Sequence, residues 1–185
     1  TAKKGMKDSD GGLIVVVDSS GSMMSAVPGT KASAYSVAKT MALYFSYLLK
    51  GKFEGTYLEF SEATVMKQWT GSTPVQQLCN DKSSKTQSTN FLSVADHFGK
   101  ILKSGVAESD FPTGILCISD GCFDSAGSEK TNVVALKQKL AAYGFSKEFV
   151  ANFKVVLWDV PNNNYGKPQT AFEDFADCPN LFYVS

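Results

Sequence analysis

The sequence predicts an α/β fold: a doubly wound, mostly parallel sheet with one antiparallel edge strand and helices on both faces. Three observations carry that expectation. Residues 13–17, 114–119 and 153–158 are short and almost continuously apolar, as strands buried on both faces are. Segments with helical spacing of apolar residues separate them, which is the alternation of a parallel sheet. Two of these runs pass directly into aspartate, at Asp18 and Asp120. In open parallel sheets that carboxyl edge is where ligands bind.

Taken in order, residues 1–12 are a polar lead-in, and residues 13–185 form a single domain. The first strand covers 13–17, and a loop with Pro28 and Gly29 follows at 25–30. Residues 31–49 carry Ala34, Val37, Ala38, Met41, Ala42, Phe45 and Leu48 at helical spacing, with Gly51 where a cap belongs. Residues 56–60 and 64–69 read as a hairpin around a tight 61–63 turn. A short helix is expected within 71–80, a polar loop over 81–88, and an amphipathic helix over 91–102. Then come the 114–119 strand, a helix over 133–143, the 153–158 strand, a short helix over 171–176 and a last strand over 181–184. The chain stops directly after that strand. A doubly wound sheet usually carries another covering helix there, so either that helix is missing or a neighbouring segment supplies the cover.

Composition excludes several classes. Eighteen Lys and Arg balance eighteen Asp and Glu, so there is no basic excess for autonomous nucleic-acid binding. No apolar run approaches the length of a membrane span. Cys79, Cys117, Cys122 and Cys178 are widely spaced in a chain of 185 residues, which favours reduced thiols and an intracellular (cytoplasmic) setting. The single histidine, His97, sits on a predicted helix, so a zinc site of the Cys/His type has no ligands to draw on. Trp69 and Trp158 are expected in the core. Met23 and Met24 are expected either buried or near the rim, facing a partner.

The chemistry concentrates in Asp18-Ser19-Ser20-Gly21-Ser22. Asp18, Ser20 and Ser22 alternate along a turn and offer only hard oxygen donors. Such a set selects Mg2+, Mn2+ or Ca2+ over zinc or copper. Thr89, in a second polar turn, and Asp120, after a second buried strand, reach the same predicted edge. Two carboxylates are few for a cage built only to hold metal. A divalent ion held mainly by hydroxyls and water keeps its Lewis acidity and an open position for an incoming oxygen. Taken alone, an Asp/Ser turn after a strand also serves to satisfy local backbone donors, and Thr89 alone is also a helix-cap residue. Asp124 reads as a turn residue.

Asp18-x-Ser20-x-Ser22, then Thr89, then Asp120, in that order on an α/β chain, resemble the metal-ion-dependent adhesion site (MIDAS) of von Willebrand factor A domains. The resemblance covers residues 13–184 and implies that family's Rossmann-like, doubly wound fold. It implies that Ser20, Ser22 and Thr89 ligate the ion directly, while Asp18 and Asp120 act through water or hydrogen bonds. Residues 118–124 and 155–159 look closest to the intracellular branch that includes Ro60-type RNA-binding proteins and DUF2828-like proteins. The resemblance implies a protein-binding module in which the ion accepts an Asp or Glu carboxylate from a partner protein.

Two other classes remain open. A Ro60-like, RNA-associated role is one, with RNA contacted through other regions or partners. A magnesium-dependent phosphohydrolase is the other. The two strand-end aspartates are similar to the arrangement of haloacid-dehalogenase-type phosphatases, which implies an aspartate acid/base two residues after the nucleophile, where this chain has Ser20. The sequence therefore favours binding over catalysis and contains no sign of membrane association.

Overall fold

The computed structural model describes residues 12–82, 88–121, 132–160 and 180–184. Its strands are β1 (Leu13–Asp18), β2 (Thr56–Phe60), β3 (Thr64–Gln68), β4 (Gly114–Ser119), β5 (Lys154–Asp159) and β6 (Leu181–Val184). Its helices are α1 (Ala34–Ser46), α2 (Pro74–Asn80), α3 (Ser93–Lys103), α4 (Asn132–Tyr143) and α5 (Lys147–Asn152). The predicted lead-in up to residue 11, the 171–176 helix, Asp124, Cys122 and Cys178 lie outside the described residues.

The strands form one sheet in the order β3-β2-β1-β4-β5-β6. Every neighbouring pair is parallel except β2 and β3, the predicted antiparallel edge hairpin. Side chains alternate across a strand, so each buried strand feeds two cores. Ile14, Val16, Leu58, Ile115, Cys117 and Leu157 pack with Phe98, Leu136 and Leu140 of α3 and α4. Val15, Val17, Tyr57, Leu116 and Ile118 face the other way, onto Ala34, Ala38 and Ala42 of α1. That is the doubly wound arrangement the sequence predicts. Trp69 is buried in this second core, whereas Trp158 is only half-buried at its margin. Among the described residues no helix is long and apolar enough to cross a membrane.

Several boundaries differ from the sequence reading. The predicted 31–49 helix is shorter, because Ser33 caps α1 by accepting from the Ser36 N–H at 3.1 Å. It ends at Ser46, so Gly51, at φ +75°, opens a following 3-10 turn instead of capping α1. The helix over 91–102 begins at Ser93, because Phe91 N bonds back to Thr89 O and Ser93 N to Asn90 O. Helix α5 was not foreseen. At six residues it is too short to show a period, and its signal is the Ser146 cap, which accepts from Phe149 N–H at 3.1 Å.

β4 carries Asp120 to the rim, and its start is set by close backbone approach. A Cβ on Gly114 would lie 2.2 Å from the Lys154 carbonyl oxygen of β5. Gly114→Ala is therefore expected to cost about 1–3 kcal/mol, as overpacking against immovable backbone does. Urea denaturation compared with the parent checks this.

Candidate metal centre

β1 delivers Asp18 to the carboxyl edge of the sheet with its side chain wholly buried. One carboxylate oxygen accepts from the Ser20 backbone N–H at 2.8 Å, an Asx turn that folds the chain back on itself. The other accepts from the Ser119 hydroxyl at 2.6 Å, tying β1 to the end of β4. Ser119 Oγ in turn accepts from Gly121 N–H at 3.1 Å, which steadies the turn after Asp120. Asp18 thus spends both oxygens on organising the loop and its neighbour.

The chain then tightens into a 3-10 turn, Gly21–Met24, with Met23 N bonded to Ser20 O at 3.2 Å. The alternation of Asp18, Ser20 and Ser22 is therefore realised on a turn. Its effect is to bring the Ser20 and Ser22 hydroxyls to 3.1 Å from each other. Met23 is fully buried under this turn and Met24 half-buried, so burial is the outcome for Met23.

Ser19 fixes the loop to the next strand. Its N–H and its hydroxyl both donate to Phe60 O, at 2.9 and 3.0 Å. Ser61, the residue after Phe60, accepts through its carbonyl from Asn90 N–H at 2.7 Å. Thr89, 5% exposed, therefore sits at the same edge, one strand away from the Asp18 loop. Asp120 is buried at 6% exposure, and its charge bears on Asp18.

The electrostatics follow from these contacts. Burial pushes the Asp18 carboxyl up to about 6, against the hydrogen bonds from Ser119 and Ser20, and Asp120 adds a like-charge push. Burial, with Asp18 nearby, also drives the Cys117 thiol well up, so it stays protonated. Cys79 and Cys117 are both free. The named donors to Asp18 are neutral, while the charge acting on it is another carboxylate. Such an edge favours a cation.

Two residues were missed in the sequence. Ser119 is the lone polar residue closing an apolar strand, and that was its signal. Asp159 ends β5 as Asp18 ends β1, is 8% exposed, and pairs in register with Ser119. His97 lies elsewhere. It is half-buried on α3 and bonded to the Thr64 backbone, with its Nε2 unpartnered and its pKa lowered by burial.

The donor set fits a small hard cation on one specific point. Mg2+ binds oxygens at about 2.1 Å in octahedral geometry, so neighbouring ligands stand about 3 Å apart. The Ser20–Ser22 spacing of 3.1 Å suits two such corners. Among the described residues no group of three or more His, Cys, Asp or Glu side chains is placed to hold a metal. A cation at this rim would therefore depend on hydroxyls.

No family profile and no curated protein matches the sequence. Among solved structures the chain is similar to an aerotolerance-related membrane protein from Bacteroides fragilis NCTC 9343, crystallised with multiple mutations to serines. The identity is 14%, over 93% of this chain and 89% of that one, with a TM-score of 0.50. At that identity the likeness is one of fold. It agrees with the doubly wound α/β architecture described above.

Proposed function

We propose that this chain is a divalent-cation-dependent protein-binding module, with no catalytic role. Ser20, Ser22 and Thr89 would hold Mg2+, or Mn2+ or Ca2+, through their hydroxyls. Asp18 and Asp120 would supply the charge, largely through water or through the loop they organise. When bound, the ion supplies a Lewis-acidic position for a carboxylate from an Asp or Glu of a partner protein. The observation that carries this reading is the pair of hydroxyls 3.1 Å apart in the loop organised by a buried aspartate whose named hydrogen-bond donors are neutral. The motif resemblance and the fold support it. An intracellular location belongs to the same reading, resting on the widely spaced cysteines.

The test is a calorimetric titration of chelator-stripped protein with Mg2+ and Mn2+. Saturable binding is expected, abolished by Asp18→Ala and weakened about tenfold by Ser22→Ala, since one of three hydroxyl ligands is lost. An immobilised acidic peptide should then be retained only with metal present. No saturable heat in the parent chain, or unchanged binding in Asp18→Ala, would remove the metal site.

A further inference from the structure

We propose that the turn of the β2–β3 hairpin, Phe60 to Thr64, is a brace that fixes the two arms of the rim against each other, with Ser19 and Ser93 as the positioning residues that dock the arms onto it. Use of the brace rests on the cation site proposed above, but its physical basis is separate. The Ser20 and Ser22 hydroxyls belong to the loop after β1, and Thr89 to the turn before α3. Their spacing is therefore not set by the covalent chain between neighbours. An ion of Mg2+ size tolerates little error there, because it demands near-ideal octahedral geometry. The spacing has to come from a third segment.

The hairpin turn touches both arms through consecutive groups. Phe60 O accepts the Ser19 N–H and hydroxyl, at 2.9 and 3.0 Å. The next carbonyl, Ser61 O, accepts the Asn90 N–H at 2.7 Å, and Glu62 O accepts Asn90 Nδ2 at 3.3 Å. Thr64 Oγ1 lies 2.6 Å from Ser93 Oγ. The turn itself is well held. Phe60 and Thr64 face each other in the β2–β3 ladder, and Ser61 N bonds to Ala63 O at 3.3 Å. The Phe60 side chain is wholly buried, with its ring edge-on to Phe91 at 6.0 Å between centroids.

Ser93 completes the grip on the Thr89 arm. Its hydroxyl donates to Asn90 O at 2.7 Å, beside the Ser93 N–H at 3.2 Å. That commits its single proton, so Thr64 is the donor to Ser93 Oγ. A relay runs from Thr64 through Ser93 to the Asn90 carbonyl, each bond polarising the next. Thr89 O accepts Phe91 N–H at 3.0 Å, so the peptide groups on both sides of Asn90 are bonded. Ser93 is 5% exposed on α3, whose Val94 and Phe98 lie in the first core. Asn90 therefore cannot swing away from Ser61 without also breaking from Ser93. The hydroxyl bond is worth about fivefold in any equilibrium that needs Thr89 in place.

The test uses the full chain with Ser93→Ala and Ser19→Ala, and with Thr64→Val in place of Ser93→Ala should that variant fail to fold. Each is expected to raise the Mn2+ dissociation constant about fivefold. The decisive readout is a double-mutant cycle. In a Thr89→Ala background Ser93→Ala should add nothing further, whereas Ser19→Ala should keep its full effect, because it serves the other arm. In metal-free chain, native-state hydrogen exchange at the Asn90 amide should be about fivefold faster in Ser93→Ala, beyond any change at Cys117 in β4. A Ser93→Ala effect that persists undiminished without the Thr89 hydroxyl, or equal acceleration at Asn90 and Cys117, would make Ser93 a general stabiliser and overturn the brace. Absence of Mn2+ binding in the parent chain would overturn the cation reading alone, with the exchange result still deciding the brace.

Discussion

In the presence of chelator at pH 7, Asp18→Asn is expected to be more stable than the parent chain, by about 1–3 kcal/mol. The upper figure is the shift from 3.8 to about 6 converted at about 1.4 kcal/mol per pKa unit. Asparagine keeps an acceptor for the Ser20 N–H and places an amide donor opposite Ser119 Oγ, which can turn a lone pair toward it. It removes the buried charge and the repulsion from Asp120. The pH dependence has a definite sign. Because the folded-state pKa lies above the unfolded value, the folded chain holds more protons between about 4 and about 6. Its stability therefore falls as pH rises through that window, and the variant lacks that slope. Added Mg2+ should stabilise the parent by mass action and leave Asp18→Asn unmoved. Urea denaturation at pH 4.5 and pH 7, with and without Mg2+, checks all of this. A variant less stable than the parent in chelator at pH 7 would show that the carboxylate earns its place as a structural anchor. A residue whose removal stabilises the empty protein and abolishes the response to metal is one kept for its ligand.

How far this edge was legible in the sequence varies from residue to residue. The rule that ligands gather beyond the carboxyl ends of parallel strands led to Asp18 and Asp120, because each follows an apolar run. The same rule was not applied to Asp159, which ends the apolar 153–158 run, and its place at the edge emerges only from the register that sets it beside Ser119. Ser119 itself was hidden for a different reason. Its partner Asp18 is 101 residues away, and a serine closing a strand carries no periodic signal. Thr89 was found through its place in a motif, while its proximity is seen only in long-range contacts such as the backbone hydrogen bond from Asn90 to Ser61.

The buried charged cluster of Lys39, Tyr57, Glu59, Lys67 and Asp81, in which both lysines pair with both carboxylates, was not legible at all. Lys39 looks like one more polar residue on an amphipathic helix, and Glu59 like the outward side of the strand Thr56–Phe60. Burial on both faces of β2 inverts that reading, because α1 covers the face onto which Glu59 points. Pattern reading assumes that charge marks solvent. It fails where opposite charges from distant segments compensate one another inside.

That compensation makes Lys39→Met the substitution with the other large expected effect, a loss of about 3 kcal/mol or more. Methionine preserves most of the apolar stem of this buried side chain. The loss is therefore electrostatic. Glu59 and Asp81 would share Lys67 as their remaining cation in the cluster, and an uncompensated buried carboxylate is among the costlier defects a fold can carry. The stacking of Tyr57 on Trp69, with centroids 4.5 Å apart, would also lose the ammonium that lies 4.2 Å from the Tyr57 ring centroid. Two further measurements separate charge from packing. Adding Glu59→Gln to Lys39→Met should restore much of the lost stability, because it removes the orphaned charge, whereas Glu59→Gln alone should destabilise. The single Lys39→Met variant should also recover relative to the parent as pH falls and the stranded carboxylate takes up a proton. Additive losses in the double variant, with no recovery in acid, would mean that Lys39 acts through its packed stem and that the ion pairs contribute little.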